Sequence, residues 1–167
     1  MVEMHLSAVR VELPSNTPIL LLQEVGGNHR TLPIYIGPAE AQAIAFAQQG
    51  VETPRPMTHD LMRDLLEELG ASVECIVITE LRDRTFYAEI RLLVAGQRHI
   101  VSSRPSDAVA LAVRVDSVIY AEEELLDAEG VILPTEDEEE GEPGEAEELV
   151  SEFREFIEGI RPEDFES

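Results

Sequence analysis

Two segments of the sequence share one plan of charged and hydroxyl residues. Each begins with Arg-Pro, continues to a hydroxyl residue and ends with an aspartate: Arg55-Pro-Met-Thr58-His59-Asp60 and Arg104-Pro-Ser106-Asp107. Each lies where a helix is expected to begin, which is where unpaired N–H groups and the positive end of the helix dipole favour an anion. We therefore predict that a phosphate group binds at these helix starts. The predicted substrate-binding residues are Arg55, Thr58, Arg104 and Ser106.

Hydrolysis of a phosphodiester usually needs a histidine acid–base pair or a metal held by carboxylates. His59, Asp60 and Asp107 are the predicted catalytic residues, because His59 lies beside both a carboxylate and a hydroxyl. Glu40 falls in the first turn of another predicted helix, and with Asp60 and Asp107 it forms a candidate ligand set for Mg²⁺ or Mn²⁺. Both arrangements require three helix starts to meet at one place, which local sequence does not determine.

The same residues also have a purely structural interpretation. An aspartate in a first helical turn stabilises any helix, and Thr58 and Ser106 are common capping types. Arg55 and Arg104 can simply pair with nearby carboxylates. The local sequence leaves the structural and the functional interpretations open.

The charge of the chain argues against a nucleic-acid partner. The formal net charge is −23: residues 1–121 carry 15 acidic and 10 basic side chains, and residues 122–167 carry 20 acidic and 2 basic ones. All 12 basic residues are arginine. Proteins that bind nucleic acid usually present a basic surface. A nuclease is thus one hypothesis, and the alternative is a non-catalytic oligomeric module that binds a small anionic ligand or a protein partner.

The order of the predicted elements indicates an α+β fold with a mixed sheet. A three-stranded meander comes first, at Met4–Leu13, Pro18–Glu24 and Arg30–Ile36, with a tight turn at Gly26-Gly27-Asn28. Three further strands follow at Ser72–Leu81, Thr85–Val94 and Gln97–Ser102, and a short last one at Ser117–Ala121.

Three main helices are expected to cover this sheet. The first begins at Gly37-Pro38 and ends before Gly50, and the third runs from about Pro105 to Val115. The second is capped by Thr58 and ends near Gly70. Its predicted apolar face consists of Leu61, Met62, Leu65, Leu66 and Leu69.

Composition predicts one folded domain with appendages. The domain is expected at residues 1–125, an acidic flexible linker at 126–148 and an amphipathic helix with a tail at 149–167. No apolar run approaches the roughly 18 residues of a membrane helix, and the N-terminus does not have the pattern of a secretory signal. A single cysteine, Cys75, leaves no internal disulfide. These features favour a cytoplasmic protein with no membrane partner.

Four motifs together resemble the bifunctional nuclease domain family, over about residues 1–125. They are Leu32–Ala41, the hexapeptide at 55–60, Thr85-Phe-Tyr-Ala88 and Arg-Pro-Ser-Asp-Ala-Val-Ala-Leu at 104–111. The end of the chain, with Phe153-Arg-Glu-Phe156 and Arg-Pro-Glu-Asp-Phe at 161–165, is similar to that of bacterial members.

The resemblance implies a wedge-shaped mixed α+β domain that forms homodimers or larger homo-oligomers. It also implies DNase and RNase activity, which is attached chiefly to plant relatives. The signature positions of the family map onto Glu40, Arg55, Thr58, His59, Asp60, Arg104, Ser106 and Asp107. One position departs from the family pattern: Ser102 stands where an aspartate is usual, two residues before the second Arg-Pro.

Overall fold

The computed structural model describes residues 1–133, and within them every predicted strand and helix is present. Seven of the strands and three of the helices match the expected order, with bounds that differ by a few residues. The elements are β1 (Val2–Glu12), β2 (Thr17–Glu24), β3 (Arg30–Tyr35), α1 (Pro38–Gln48), α2 (Thr58–Glu68), β4 (Ala71–Arg82), β5 (Thr85–Val94), β6 (Gln97–Ser103), α3 (Pro105–Val115), β7 (Val118–Ala121), α4 (Glu123–Glu129) and β8 (Val131–Ile132).

All eight strands form one mixed sheet in the order β6-β5-β4-β7-β1-β2-β3-β8. The β4–β7 pair is parallel, with Ile76 opposite Ile119, and the other pairs are antiparallel. A parallel pair needs a crossover connection, and here the crossover passes through β5, β6 and α3. The predicted α+β class with a mixed sheet is confirmed.

The hydrophobic core lies between one face of the sheet and helices α1, α2 and α3. Alternate residues of the central strands point into it, among them Leu20 and Leu22 of β2 and Ile76 and Ile78 of β4. Helix α3 is the most deeply buried, since residues 108–112 are all at most 1% exposed. Helices α1 and α2 both pack against α3.

The predicted apolar face of α2 is only partly buried. Met62 and Leu66 pack against the core, whereas Leu61, Leu65 and Leu69 are 49, 54 and 73% exposed. The buried stripe of α2 instead includes His59, which precedes Met62 by three residues and Leu66 by seven. Helix α2 therefore presents a narrow stripe to its neighbours, and the histidine of the hexapeptide belongs to that stripe.

Ordered structure continues past residue 125, where the sequence placed the start of a flexible linker. Leu125 and Leu126 of α4 are buried, and β8 pairs with β3. Arg30 donates hydrogen bonds to Glu123 and Asp127 of α4 and to Glu24 of β2. Burial of two leucines and these ion pairs explain why residues 126–132 are not a linker. The rest of the predicted linker and the predicted C-terminal helix at 149–167 lie outside the described residues.

Helices α1, α2 and α3 have 11 residues each and are the longest in the described part of the chain. A helix needs about 20 residues to cross a bilayer. No helix between residues 1 and 133 meets that requirement.

The contribution of α4 to the domain is testable by one substitution. Leu126→Ala removes a side chain that is 0% exposed, so we expect the free energy of unfolding to fall by about 2 to 5 kcal/mol. The matched control Leu69→Ala removes the same atoms from a side chain that is 73% exposed, and its effect should stay below about 0.5 kcal/mol. Urea denaturation of the full-length chain measures both. Equal effects of the two substitutions would show that α4 is not part of the cooperative unit.

Candidate active site

The starts of α1, α2 and α3 meet at one pocket. Its volume is about 200 Å³, and each of the three helices lines it with residues of its first turn. Glu40 comes from α1, Thr58 and His59 come from α2, and Arg104 and Asp107 come from the start of α3. The convergence that local sequence left open is therefore present in the fold. It places five of the eight candidate residues around one cavity.

Local sequence sets the starts of α1 and α3. Pro38 and Pro105 occupy the first position of α1 and α3, where a proline loses no hydrogen bond. Gly37 immediately precedes α1, and a Cβ atom there would overlap the Glu40 carboxylate. Glycine at position 37 thus allows Glu40 to fold back over the start of its own helix, toward the pocket.

Arg104 joins two of these helix starts through charged hydrogen bonds. Its Nε donates to Oδ2 of Asp107 at 2.7 Å, and its terminal nitrogen Nη2 donates to Oε1 of Glu40 at 2.7 Å and to Oδ1 of Asp107 at 3.1 Å. These carboxylates raise the pKa of Arg104, with Asp107 the larger cause. The cluster formed by Glu40, His59, Arg104 and Asp107, called the site cluster below, therefore carries a formal charge of −1 when His59 is neutral.

Asp107 is the centre of this cluster. Burial of its carboxyl group opposes ionisation, but hydrogen bonds to Arg104 and His59 outweigh burial, and the pKa of Asp107 is lowered. The carboxylate is consequently ionised at neutral pH and can only accept hydrogen bonds. Oδ1 of Asp107 lies 3.0 Å from Nε2 of His59.

His59 is 6% exposed, yet it lines the pocket. Since the Asp107 carboxylate has no proton to donate, Nε2 of His59 must carry the hydrogen of their bond. In the neutral ring this leaves the lone pair on Nδ1. An oriented imidazole with one free basic nitrogen is the arrangement that acid–base catalysis uses.

Asp60 is adjacent to His59 in sequence but is directed elsewhere. Its Oδ1 accepts from Nε of Arg114 at 2.6 Å, and its Oδ2 accepts from the backbone N–H of Met57 at 3.0 Å. The hydrogen bond from Arg114 lowers the pKa of Asp60, against the effect of burial. Asp60 does not line the pocket. The structure therefore does not bring Asp60 together with Glu40 and Asp107, the other two predicted metal ligands.

Met57, rather than Thr58, precedes the first residue of α2, so the prediction that Thr58 caps this helix is wrong. The Asp60 carboxylate, inside the first turn, instead accepts a hydrogen bond from the backbone N–H of Met57. Thr58 is exposed and lines the pocket. It is thus positioned to contact a ligand.

Two further candidates lie outside this pocket. Arg55 is exposed, and the structure of residues 1–133 gives it no carboxylate partner within ion-pair distance. Its backbone oxygen accepts from Oγ1 of Thr53 at 2.6 Å. Ser106 is 5% exposed and faces a neighbouring cavity on the other side of Arg104. The first turn of α3 thus separates two cavities.

The donor atoms of the site cluster do not match a divalent metal site. Within residues 1–133, no group of three or more histidine, cysteine, aspartate or glutamate side chains is arranged to hold a metal ion. The Arg104 guanidinium already lies between the Glu40 and Asp107 carboxylates and supplies the positive charge there. A cation would have to displace it.

Sequence reasoning missed Arg114, which holds the start of α2 in place. This side chain is 4% exposed and also donates to the backbone oxygens of Ala43 in α1 and Ala110 in α3. It thereby connects all three helices behind the pocket. The sequence contains a feature that indicates this role, because Arg114 is the one charged residue in the otherwise apolar run from Ala108 to Val115. An arginine buried in such a run requires a carboxylate partner.

Comparison with known proteins gives the family to which this sequence is similar. The sequence model of the bifunctional nuclease domain matches residues 20–134. An uncharacterized protein of Mycobacterium tuberculosis is 47% identical over 165 residues, which cover 99% of this chain and 98% of that protein. Bifunctional nuclease 2 of Arabidopsis thaliana is 26% identical over 124 residues, and bifunctional nuclease 1 of Oryza sativa subsp. indica is 24% identical over 132. These alignments cover 71 and 76% of this chain but only 38 and 39% of the plant proteins.

The Asp60–Arg114 pair predicts a specific pH dependence of stability. The folded-state pKa of Asp60 is lowered, so its contribution is complete above the unfolded-state pKa of about 3.9 and is lost as the pH falls through the folded-state value. Asp60→Asn should lower the free energy of unfolding at pH 7 by roughly 3 kcal/mol, because Arg114 stays buried without its partner. The deficit relative to the unsubstituted protein should narrow below about pH 4.

Denaturant titrations between pH 7 and pH 2 measure this difference. The matched control is Asp64→Asn, since Asp64 is 43% exposed and pairs with Arg63 on the same helix. Its effect should stay below about 1 kcal/mol at every pH. A deficit for Asp60→Asn that is the same at pH 7 and pH 2 would contradict the assigned ion pair.

Proposed function

Since this chain belongs to the bifunctional nuclease domain family, we propose that it hydrolyses phosphodiester bonds of DNA or RNA at the pocket where α1, α2 and α3 begin. One observation carries the proposal: Asp107 bonds both to His59 and to Arg104. A single carboxylate therefore orients a potential base and a potential phosphate ligand toward the same cavity.

In this mechanism His59 takes the proton from an attacking nucleophile. Asp107 holds the hydrogen on Nε2 and leaves Nδ1 as the base, and the ionised carboxylate stabilises the imidazolium that forms. The nucleophile is water, or the 2′-hydroxyl where the substrate is RNA, and it bonds to phosphorus as the bond from phosphorus to the leaving nucleotide oxygen breaks. The leaving oxygen takes a proton from solvent, and the His59 imidazolium returns its proton to solvent. Burial of His59 at 6% exposure restricts the rotation of the ring and keeps this geometry before the substrate binds.

Arg104 stabilises the charge on the phosphate as the bond to the nucleophile forms. Its guanidinium is fixed by Asp107 and Glu40, and its side chain is still 65% exposed. Its other terminal nitrogen, Nη1, has no acceptor among residues 1–133 and can donate to a phosphate oxygen. Thr58 and the unpaired N–H groups at the helix starts supply further donors.

In this mechanism Asp60 positions His59 and does not contact the substrate. It fixes the first turn of α2 by accepting from Met57 and Arg114, and that turn carries His59. We therefore place Asp60 with Arg114 as a positioning pair. The sequence predicted both Asp60 and Asp107 as catalytic carboxylates. In this proposal only Asp107 has that role.

Binding of Mg²⁺ or Mn²⁺ stays a prediction of the sequence, and the mechanism above uses only side chains of the protein. The carboxylates that would bind one, Glu40 and Asp107, are engaged by Arg104. Activity measured with added Mg²⁺ and with a chelator decides the requirement.

A specific observation supports the second candidate function, a non-catalytic module for a small anionic ligand or a protein partner. Arg104 is paired with two carboxylates, so the site cluster has a formal charge of −1 with neutral His59. This charge weakens the attraction of a polyanion. Assembly into a homodimer or larger homo-oligomer stays a prediction for either function.

Substitution of the base tests the nuclease proposal. His59→Gln keeps a polar side chain of similar size but removes the basic nitrogen, so kcat on single-stranded RNA or DNA should fall by about a hundredfold to ten-thousandfold. Asp107→Asn should lower kcat by a comparable factor, because the amide no longer fixes the ring tautomer. Single-turnover cleavage of labelled oligonucleotides by the full-length chain measures both.

The control is His29→Gln, which changes an exposed histidine in the turn before β3 and should leave kcat unchanged. Thermal melting of each variant separates lost catalysis from lost folding. Cleavage that survives both His59→Gln and Asp107→Asn would refute the proposed mechanism and point to a contaminating nuclease.

A further inference from the structure

A second cavity adjoins the site cluster at Arg104, which lines both cavities. It has a volume of about 330 Å³ and lies between the end of β3, the turn that joins β4 to β5, and the start of α3. Pockets for small ligands usually measure about 300 to 1,000 Å³. This cavity, called the side cavity below, therefore accommodates a ligand unit larger than the group that fits the 200 Å³ pocket at His59.

The inner wall of the side cavity is apolar. It is lined by Ile34, Ile36, Phe86 and Pro105. Ile34 and Ile36 are 3 and 9% exposed, and Phe86 packs on the core with part of its surface left accessible. A wall of this kind favours a flat, largely apolar group such as a nucleobase, which gains by stacking or by leaving water.

The rim of the side cavity is basic. Arg84 and Arg104 both line it. Arg84 is exposed, and within residues 1–133 no carboxylate lies within ion-pair distance of it. Its charge is therefore not neutralised there, unlike that of Arg104. Ser106 adds a backbone N–H from the first turn of α3, where such groups have no acceptor within the helix.

The backbone conformation at Arg84 is a second reason to consider its side chain a ligand contact. Asp83 and Arg84 form a two-residue hairpin turn with φ of 50° and 62°. Glycine is preferred at the second position of such a turn, and a side chain there costs free energy. Arg84 thus occupies a position where the backbone conformation favours glycine, and strained positions of this kind cluster at ligand-binding sites.

We propose that the side cavity binds one nucleotide of a single-stranded nucleic acid, with its base on the apolar wall and its phosphate between Arg84 and Arg104. The inference rests on the proposed nuclease function and specifies its substrate. A base within a duplex is paired and stacked and cannot enter a cavity without leaving the duplex, so the cavity selects single strands. The next phosphate along the strand then reaches the pocket at His59, because the first turn of α3 faces both cavities, with Ser106 on one side and Asp107 on the other.

Binding of labelled single strands to paired arginine variants tests this proposal. The probes are short fluorescent oligothymidylate and oligouridylate and a duplex of equal length, titrated into full-length protein that carries His59→Gln to prevent turnover. Arg84→Gln should weaken single-strand binding and reduce the slope of log Kd against log salt by roughly 0.7, the value for one lost phosphate contact.

Arg82→Gln is the matched control. It removes the same charge from the same hairpin, but the Arg82 guanidinium lies over the Tyr87 ring, 4.5 Å from its centroid, and Arg82 does not line the side cavity. Single-strand affinity should change less than about twofold in this variant. Arg84→Gly adds a check on folding, since it relieves the positive φ and should melt no lower than the parent while it binds as weakly as Arg84→Gln.

Competition with small ligands tests the apolar wall. Thymidine and uridine monophosphates should displace the labelled strand at lower concentration than inorganic phosphate does. Equal competition by inorganic phosphate would overturn the base contact. Equal loss of affinity in Arg84→Gln and Arg82→Gln, duplex binding as tight as single-strand binding, or no binding of either probe would overturn the whole proposal.

These experiments distinguish an error in the side-cavity proposal from an error in the proposed nuclease function. Cleavage that depends on His59 but has the same KM in Arg84→Gln and Arg82→Gln would leave the function in place and refute the cavity assignment. Single-strand binding that depends on Arg84, with no cleavage by the unsubstituted protein, would support the cavity assignment and refute the nuclease function.

Discussion

The hydrogen bonds between Arg104 and the carboxylates of Glu40 and Asp107 are the interaction on which the site depends. They join the start of α1 to the start of α3, and Asp107 extends the cluster to His59 in α2. Without the guanidinium, two carboxylates would face each other in a pocket with limited access to water, which is costly. Arg104 is therefore a structural necessity as well as a candidate phosphate ligand, and an anion that binds there must compete with carboxylates already in place.

In the proposed function, this competition affects how a negatively charged substrate approaches. Residues 1–121 carry 15 acidic and 10 basic side chains, so the domain does not attract a polyanion over its whole surface. Arg84 is a local exception, because its charge has no carboxylate partner among residues 1–133. An anionic chain that first contacts Arg84 needs only a short displacement to reach Arg104. For the proposed function, the distribution of charge around the two cavities thus matters more than the total charge.

Sequence predicted the features that are local and missed those set by packing. Proline placed the starts of α1 and α3 correctly, because its ring restricts its own backbone. The roles of His59 and Asp60 depended on which side of α2 is buried. The leucines at 61, 65 and 69 suggested one side, yet the helix turns His59 inward and leaves those leucines exposed. A rotation of about 100° per residue separates His59 from Asp60, so only the tertiary fold shows that one lines the pocket and the other faces Arg114.

The departure from the family pattern at Ser102 lies on the face of the sheet away from the site cluster. In the β5–β6 pair, Ser103 is opposite Ala88, which points into the core beneath α3, whereas Ser102 is opposite Glu89. Because side chains alternate along a strand, Ser102 points to the face of the sheet away from the helices. An aspartate at this position would lie beside Glu89 and would not line either cavity next to Arg104. The serine therefore leaves the site cluster intact, and the proposed mechanism, which uses His59, Arg104 and Asp107, assigns no step to position 102.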